Sequence, residues 1–135
     1  DKTLELNIEN LQLLAQGLSL ARDIDESIPV LNKLASMSGE SKHYNYLGQA
    51  YMQQGTWAKA ADAFESALKA KDAANPDSLR MQLGTSLYND GKLQAAKSAF
   101  GAIPLSSPNG EAAANWIKFI TTEIDRNNAL KARAG

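Results

Sequence analysis

The chain of 135 residues is 44% hydrophobic and 21% charged, which is ordinary for a single globular domain. Its 14 basic and 15 acidic residues give a formal charge of −1, so the sequence predicts no surface for nucleic acid or anionic lipid. It has no cysteine, which excludes disulfides, thiolate metal sites and cysteine nucleophiles. No apolar run reaches the roughly 18 residues of a bilayer span. The start at Asp1 leads us to expect a fragment or processed form, from which any targeting segment is missing.

Self-similarity divides the chain into three copies of one pattern. A shift of 36 residues aligns Leu47, Gly48, Gly55, Ala60 and Phe64 with Leu83, Gly84, Gly91, Ala96 and Phe100. A shift of 33 residues aligns Leu14, Leu18, Leu31 and Leu34 with Leu47, Tyr51, Phe64 and Ala67, which adds a more divergent first copy. In each copy the apolar residues are spaced three and four apart on both sides of a turn, which predicts two short helices per copy.

The first copy covers about residues 8–40. Arg22 and Asp23 stand where the later copies have a glycine, so we expect a turn of different construction here. Pro29 is tolerated only if the second helix begins near Asp25 or Glu26, because the first-turn N–H groups of a helix have no partners.

The middle copy covers about residues 41–76 and is the most regular. Gly55 can take the left-handed conformation that ends a helix, and Thr56 after it can cap the next helix through its hydroxyl. Pro76 comes late, so the second helix or the loop after it is expected to extend through "KAKDAANPD".

The third copy covers about residues 77–109 and repeats the turn as "NDGK" around Gly91. Residues 110–125 place apolar side chains on one face and predict a C-terminal capping helix, while the polar residues 129–135 are expected to fray. Trp57 and Trp116 could stack on a ligand, but both stand at repeat positions where we expect packing between helices.

The motif Tyr44-x-x-Leu47-Gly48-x-x-Tyr51, followed by Ala60-x-x-x-Phe64, resembles the tetratricopeptide repeat (TPR) family. The resemblance implies an all-α fold for residues 1–128, in which helix-turn-helix repeats stack in a right-handed superhelical α-solenoid. The residues that carry the repeat signature are Tyr44, Leu47, Gly48, Tyr51, Ala60, Phe64, Ala67, Leu83, Gly84, Ala96 and Phe100.

The resemblance also implies a partner-binding groove on the concave face, formed by the first helix of each repeat. Its residues would be Glu9, Gln12, Gln16, Ser19, Lys42, Asn45, Gln49, Met52, Gln53, Ser78, Met81, Thr85, Tyr88 and Asn89. Amides and hydroxyls prevail among them, and such groups can pair with the backbone of an extended peptide. The alternative is an ordinary hydrated helix face. A clamp for a C-terminal carboxylate is not expected, since the corresponding positions hold Gln12, Gln16, Tyr46, Ser78 and Gln82.

Catalytic chemistry finds little support in the sequence. His43 is the only histidine and has no neighbouring ligands or acids in a suitable pattern, so we expect a solvent-facing or helix-start residue. No metal or cofactor is predicted, and the chain is interpreted as a protein that is not an enzyme. Hydrolysis by His43 with a nearby acid is the minor alternative.

The leading functional hypothesis is a non-catalytic scaffold that binds a partner protein or peptide in the groove. The alternative is a TPR module that self-associates, or that supports a membrane-anchored or catalytic portion absent from this chain. A narrower resemblance connects residues 44–72 and "WIKFI" with bacterial envelope proteins that accompany TonB-type systems. It implies a periplasmic or inner-membrane-associated location, with the cytoplasm as the alternative.

Overall fold

The computed structural model describes residues 7–134, which form seven α-helices and no β-strand. The helices are α1 (Ile8–Leu20), α2 (Ile24–Ser38), α3 (Ser41–Gln54), α4 (Trp57–Lys69), α5 (Pro76–Asn89), α6 (Leu93–Gly101) and α7 (Gly110–Ala134). They correspond to the three predicted hairpins and the C-terminal helix, so the predicted all-α repeat architecture is confirmed. Within this described part, no helix is both long and apolar enough to cross a membrane.

The chain divides into two compact units, one ending at Ala74 and one beginning at Asn75. In the first unit α2 packs on both α1 and α3, and α4 packs on α3. In the second unit α6 packs on both α5 and α7. The division falls in the "KAKDAANPD" segment. Helix α4 ends at Lys69 and α5 begins at Pro76, so of the two expected alternatives it is the loop, and not the second helix, that is extended.

The three hairpin turns have the same backbone hydrogen bonds. The N–H groups of Gly55 and Thr56 donate to the carbonyls of Met52 and Tyr51, and Gly91 and Lys92 make the equivalent bonds in the third copy. Arg22 and Asp23 make them in the first copy, where Arg22 adopts a φ of 58°. The expectation of a different first turn was therefore wrong: the same turn forms with a non-glycine residue in the left-handed region.

Each of the two regular copies is held by a contact between a glycine and a phenylalanine ring. A Cβ atom on Gly48 would lie 2.7 Å from the ring of Phe64, and one on Gly84 would lie 2.6 Å from the ring of Phe100. Both rings are fully buried, so the two helices of each hairpin approach as closely as a glycine permits. The other signature residues are buried as well, except for Tyr44 and Tyr51, which are half-buried.

Several local expectations differ from the structure. Helix α2 begins at Ile24, with Asp23 as its N-cap, so Pro29 lies inside the helix rather than in its first turn. Thr56 is the N-cap of α4, but its hydroxyl donates to the side chain of Gln54 and makes no capping bond. Helix α7 continues to Ala134 through the segment that was expected to fray, although all its side chains from residue 125 to 134 are exposed.

Candidate functional site

The unit ending at Ala74 contains a pocket of about 230 Å³ between α1, α2 and α3. Four residues of α1 line it, spaced three, one and three apart, which places them on one face of that helix. Its lining residues are Gln12, Ala15, Gln16, Ser19, Ile24, Ser27, Leu31, Leu34, His43, Tyr46, Gln49, Ala50 and Gln53. We call this the amide pocket, because four glutamines contribute to it.

The lining of the amide pocket separates into an apolar part and a polar part. Helix α2 provides Leu31 and Leu34, which are buried, and Ser27 beside them satisfies its hydroxyl by donating to the carbonyl of Ile24. The glutamines come in pairs one helical turn apart, Gln12 with Gln16 on α1 and Gln49 with Gln53 on α3. The pocket therefore combines apolar contact with uncharged groups that both donate and accept hydrogen bonds.

His43 connects the helices that form the pocket. It belongs to the first turn of α3, as the expectation of a helix-start residue allowed, but its side chain is only 1% exposed, so the solvent-facing alternative was wrong. Nε2 of His43 lies 3.0 Å from Nε2 of Gln12 on α1, and Nδ1 is hydrogen-bonded to Oγ of Ser38 at the end of α2. The imidazole thus joins all three helices.

Burial is the main electrostatic influence on His43. Desolvation lowers the pKa of its imidazole, and the positive charge of Lys42 acts in the same direction. The carboxylates of Glu40 and Asp72 raise the pKa in opposition, with Oε2 of Glu40 3.5 Å from Nδ1. Since the first effect is the largest, the ring is held neutral at pH 7, and the pocket lining carries no formal charge.

The structure brings together only part of the groove expected in the first unit. Gln12, Gln16, Gln49 and Gln53 line the amide pocket, as does Ser19. The expected residues Lys42, Asn45 and Met52 lie outside its lining, as does Glu9. Asn45 is half-buried and accepts a hydrogen bond from the amide of Gln49, so it supports the wall of the pocket.

Three of the groove residues expected in the second unit, Thr85, Tyr88 and Asn89, use their polar groups within that unit. Thr85 donates to the carbonyl of Met81, and Asn89 donates to the carbonyl of Thr85, both along α5. The Tyr88 hydroxyl donates to Oε1 of Glu123 at 2.6 Å, and this bond is the main cause that raises its pKa. Ser78 is exposed on the first turn of α5.

An aromatic cluster surrounds Tyr88 in the second unit. Its ring packs edge-on against Trp116 at 5.2 Å, and Trp116 stacks on Phe100 at 5.1 Å with an interplanar angle of 7°. Trp116 thus has the packing role expected of it. Phe119 completes the cluster, with its ring 5.7 Å from that of Tyr88.

Sequence reasoning missed the residues that shape the amide pocket from α2 and the start of α3. His43 and Tyr46 share a face of α3 with Ala50 and Gln53, because these residues are spaced three, four and three apart. Since Gln53 was already expected in the groove, the same helical spacing could have indicated the other residues. The contribution of Leu31 and Leu34 has no comparable signal, because apolar residues at repeat positions only predict core. Among residues 7–134, no group of three or more His, Asp or Glu side chains could hold a metal ion.

No family model and no curated protein matches the chain. Solved structures do match it. A crystal structure of a T3SS complex from Aeromonas hydrophila aligns with a TM-score of 0.70 at 19% identity, covering 87% of this chain and 83% of that one. The type III secretion translocator chaperone SycD from Yersinia enterocolitica aligns with a TM-score of 0.69 at 14% identity, covering 87% and 86%.

These likenesses show the fold of the chain. Its helical hairpins, its glycine–phenylalanine contacts and its structural neighbours define a TPR-like helical-repeat protein.

Proposed function

We propose that the chain is a protein-interaction adaptor that binds an extended segment of a partner protein in the amide pocket. The observation that carries this proposal is the lining of the pocket, which combines leucines of α2 with four glutamine amides of α1 and α3. Glutamine side chains can pair with the N–H and C=O groups of a peptide backbone, while Leu31 and Leu34 contact an apolar side chain.

The size and charge of the pocket narrow the kind of occupant. Its volume of about 230 Å³ is below the roughly 300–1,000 Å³ typical of small-molecule sites, which favours one side chain of a larger partner. A charged side chain would lose its hydration without meeting an opposite charge, and this loss is costly. We therefore propose an apolar anchor residue within an uncharged stretch of the partner.

The structural neighbours support the same class of function. One is described as a translocator chaperone and the other as part of a T3SS complex. By analogy, the present chain would hold a segment of another protein and carry out no chemistry. The narrower assignment to envelope systems of the TonB type, and with it the periplasmic location, is a prediction that comes from the sequence resemblance alone.

A selection from a random peptide library, followed by calorimetry with the selected peptide, tests the proposal. The double variant Gln16→Glu and Gln53→Glu places negative charge at two exposed positions of the pocket and should weaken binding by about tenfold or more. Gln94→Glu makes the same chemical change at an exposed side chain of α6 and serves as the matched control. If the pocket and control variants bind equally well, the amide pocket is not the binding site.

Self-association is the second candidate, because α1 exposes three leucines. Leu13, Leu14 and Leu20 are 61%, 51% and 87% exposed, and Leu13 and Leu20 lie seven residues apart on one face. If this face joins two copies, Leu13→Glu with Leu20→Glu should convert a dimer into a monomer in sedimentation experiments. A wild-type chain that stays monomeric at all accessible concentrations would exclude this candidate.

A further inference from the structure

The hydrogen bonds of His43 determine where its proton resides. The amide nitrogen of Gln12, and not its oxygen, faces Nε2 of His43 at 3.0 Å. In this orientation of the amide, Gln12 donates and Nε2 accepts through its lone pair. A neutral imidazole has one N–H, and with Gln12 in this orientation it is on Nδ1, where it donates to Oγ of Ser38. The backbone N–H of Glu40 also donates to this Oγ at 3.1 Å, which fixes the position of Ser38.

This arrangement has a consequence for the amide of Gln12. One N–H of the amide is committed to His43, so the carbonyl oxygen Oε1 is the group of Gln12 that can accept a hydrogen bond from an occupant. Without His43, the Gln12 amide could turn by half a rotation and exchange its donor for its acceptor at little cost, because both orientations have the same shape.

We propose that His43 is a positioning residue that sets the hydrogen-bonding specificity of the amide pocket: neutral His43 leaves the Oε1 acceptor of Gln12 for an occupant, and protonated His43 takes up that acceptor and leaves the NH₂ donors. This inference rests on the proposed function of the pocket as a binding site. It assigns to the chain a pocket whose preference for donors or acceptors changes with pH.

The reversal follows from the two protonation states. An imidazolium has N–H groups on both nitrogens, so Nε2 would face the N–H of Gln12 with another donor. Rotation of the Gln12 amide removes this conflict, because Oε1 then accepts from Nε2 and the NH₂ group is released toward the pocket. On the other side, Ser38 continues to accept from Nδ1 without any change.

The charged groups around His43 come from the segments that flank it. Glu40, from the turn between α2 and α3, and Asp72, from the loop after α4, favour protonation, and Lys42 on α3 opposes it. Helices α1 and α2 contact the ring through Gln12 and Ser38, which are uncharged. The Tyr46 ring of α3 lies 6.5 Å from the imidazole, centroid to centroid.

Nuclear magnetic resonance on the free protein tests the positioning role without a ligand. Long-range ¹H–¹⁵N correlations at about pH 7.5 should show the proton on Nδ1 and a lone pair on Nε2. On lowering the pH to about 5, the side-chain NH₂ signals of Gln12, identified by their loss in Gln12→Met, should shift together with the titration of His43. The NH₂ signals of Gln16, one turn away, are the control and should stay nearly constant. Three results would each overturn the proposal. They are a proton on Nε2 at neutral pH, a His43 that does not titrate, and NH₂ signals of Gln12 that do not change as His43 titrates.

Two small probes then test the effect on specificity. N-acetyl-leucinamide and N-acetyl-leucine methyl ester differ in the N–H donors of the terminal amide. The amide should bind about fivefold more tightly at about pH 7.5, the value of one ordinary hydrogen bond, and this preference should disappear as His43 becomes protonated, in step with its titration in the free protein. An equal affinity of both probes in both protonation states of His43 contradicts the specificity. If neither probe perturbs the pocket, the proposed binding function fails at this site, while the titration of free Gln12 still decides the role of His43.

Discussion

Arg22 holds a backbone conformation that residues with a Cβ atom seldom adopt. Its φ of 58° matches the left-handed conformation of Gly55 and Gly91 at the same place in the other copies. This conformation costs a non-glycine residue about 1–2 kcal/mol, whereas a glycine loses more chain entropy on folding, by about 0.4–1 kcal/mol. We therefore expect Arg22→Gly to raise the free energy of unfolding by about 0.5–1 kcal/mol in urea denaturation.

Gly55→Ala is the reciprocal control for this prediction. A Cβ atom at Gly55 would have open space around it, so only the φ of 81° opposes the substitution. The free energy of unfolding should fall by about 1 kcal/mol. If Arg22→Gly destabilises the protein instead, the arginine side chain makes a compensating interaction that outweighs the strain.

His43 should make the stability of the protein depend on pH. Burial lowers the pKa of the folded imidazole below its ordinary value of 6.5, so between these two pKa values the unfolded chain binds more protons than the folded one. The stabilisation is fully present above pH 6.5 and is lost as the pH falls through the folded pKa. Denaturation between about pH 7.5 and 5.5 should show this loss, and because His43 is the only histidine, His43→Gln should remove the slope. An unchanged slope in that variant would place its origin elsewhere.

At the scale of the helix pair, the three copies solve the same packing problem with different residues. Gly48 meets Phe64 and Gly84 meets Phe100, and in both cases no methyl group fits. At the corresponding places, the first copy has Ala15 and Leu31, which are both 8% exposed. Both belong to one core cluster. Alanine in place of glycine thus occurs together with leucine in place of phenylalanine, which keeps the combined volume of the two positions similar.

This compensation predicts a coupling between Gly48 and Phe64. Gly48→Ala alone should lower the free energy of unfolding by about 1–3 kcal/mol, because the new methyl group overlaps a fully buried ring. Phe64→Leu alone leaves a cavity and should cost a similar amount. Combined, the two substitutions reproduce the Ala15–Leu31 pair and should cost less than the sum of the single changes by about 1 kcal/mol in a double-mutant cycle. Additive costs would show that the backbone, and not the ring, absorbs the overlap.

The helix pairs were predictable from the sequence because their signals are local. Gly55 and Gly91 indicate where a helix ends, because glycine readily takes the left-handed conformation found there. The motif of Leu47 and Gly48 recurs 36 residues later, at Leu83 and Gly84. The first turn was missed because the motif requires a positive φ, and Arg22 can supply that conformation without being a glycine. The pocket was only partly predictable, since the contact between Gln12 and His43 joins residues 31 positions apart.

At the scale of the whole molecule, the core is distributed over the chain. The unit ending at Ala74 buries Phe64 against Gly48, and the unit beginning at Asn75 buries Phe100 against Gly84. The amide pocket belongs entirely to the first of these units, while the aromatic cluster of Tyr88, Trp116 and Phe119 belongs to the second. Each unit therefore has its own stabilising contacts, as expected of a repeat protein whose stability is a sum over neighbours.

This distribution predicts that damage to one unit stays largely within it. Phe64→Ala and Phe100→Ala each remove a fully buried ring and should each cost about 3–5 kcal/mol of local stability. Native-state hydrogen exchange should then show protection lost mainly in α3 and α4 for the first variant, and mainly in α5 and α6 for the second. The two variants are matched controls for each other, because they change the same residue type at the same repeat position. If either substitution reduces protection evenly from α1 to α7, the chain unfolds as one cooperative body. The two units would then differ in their contacts but not in their stability.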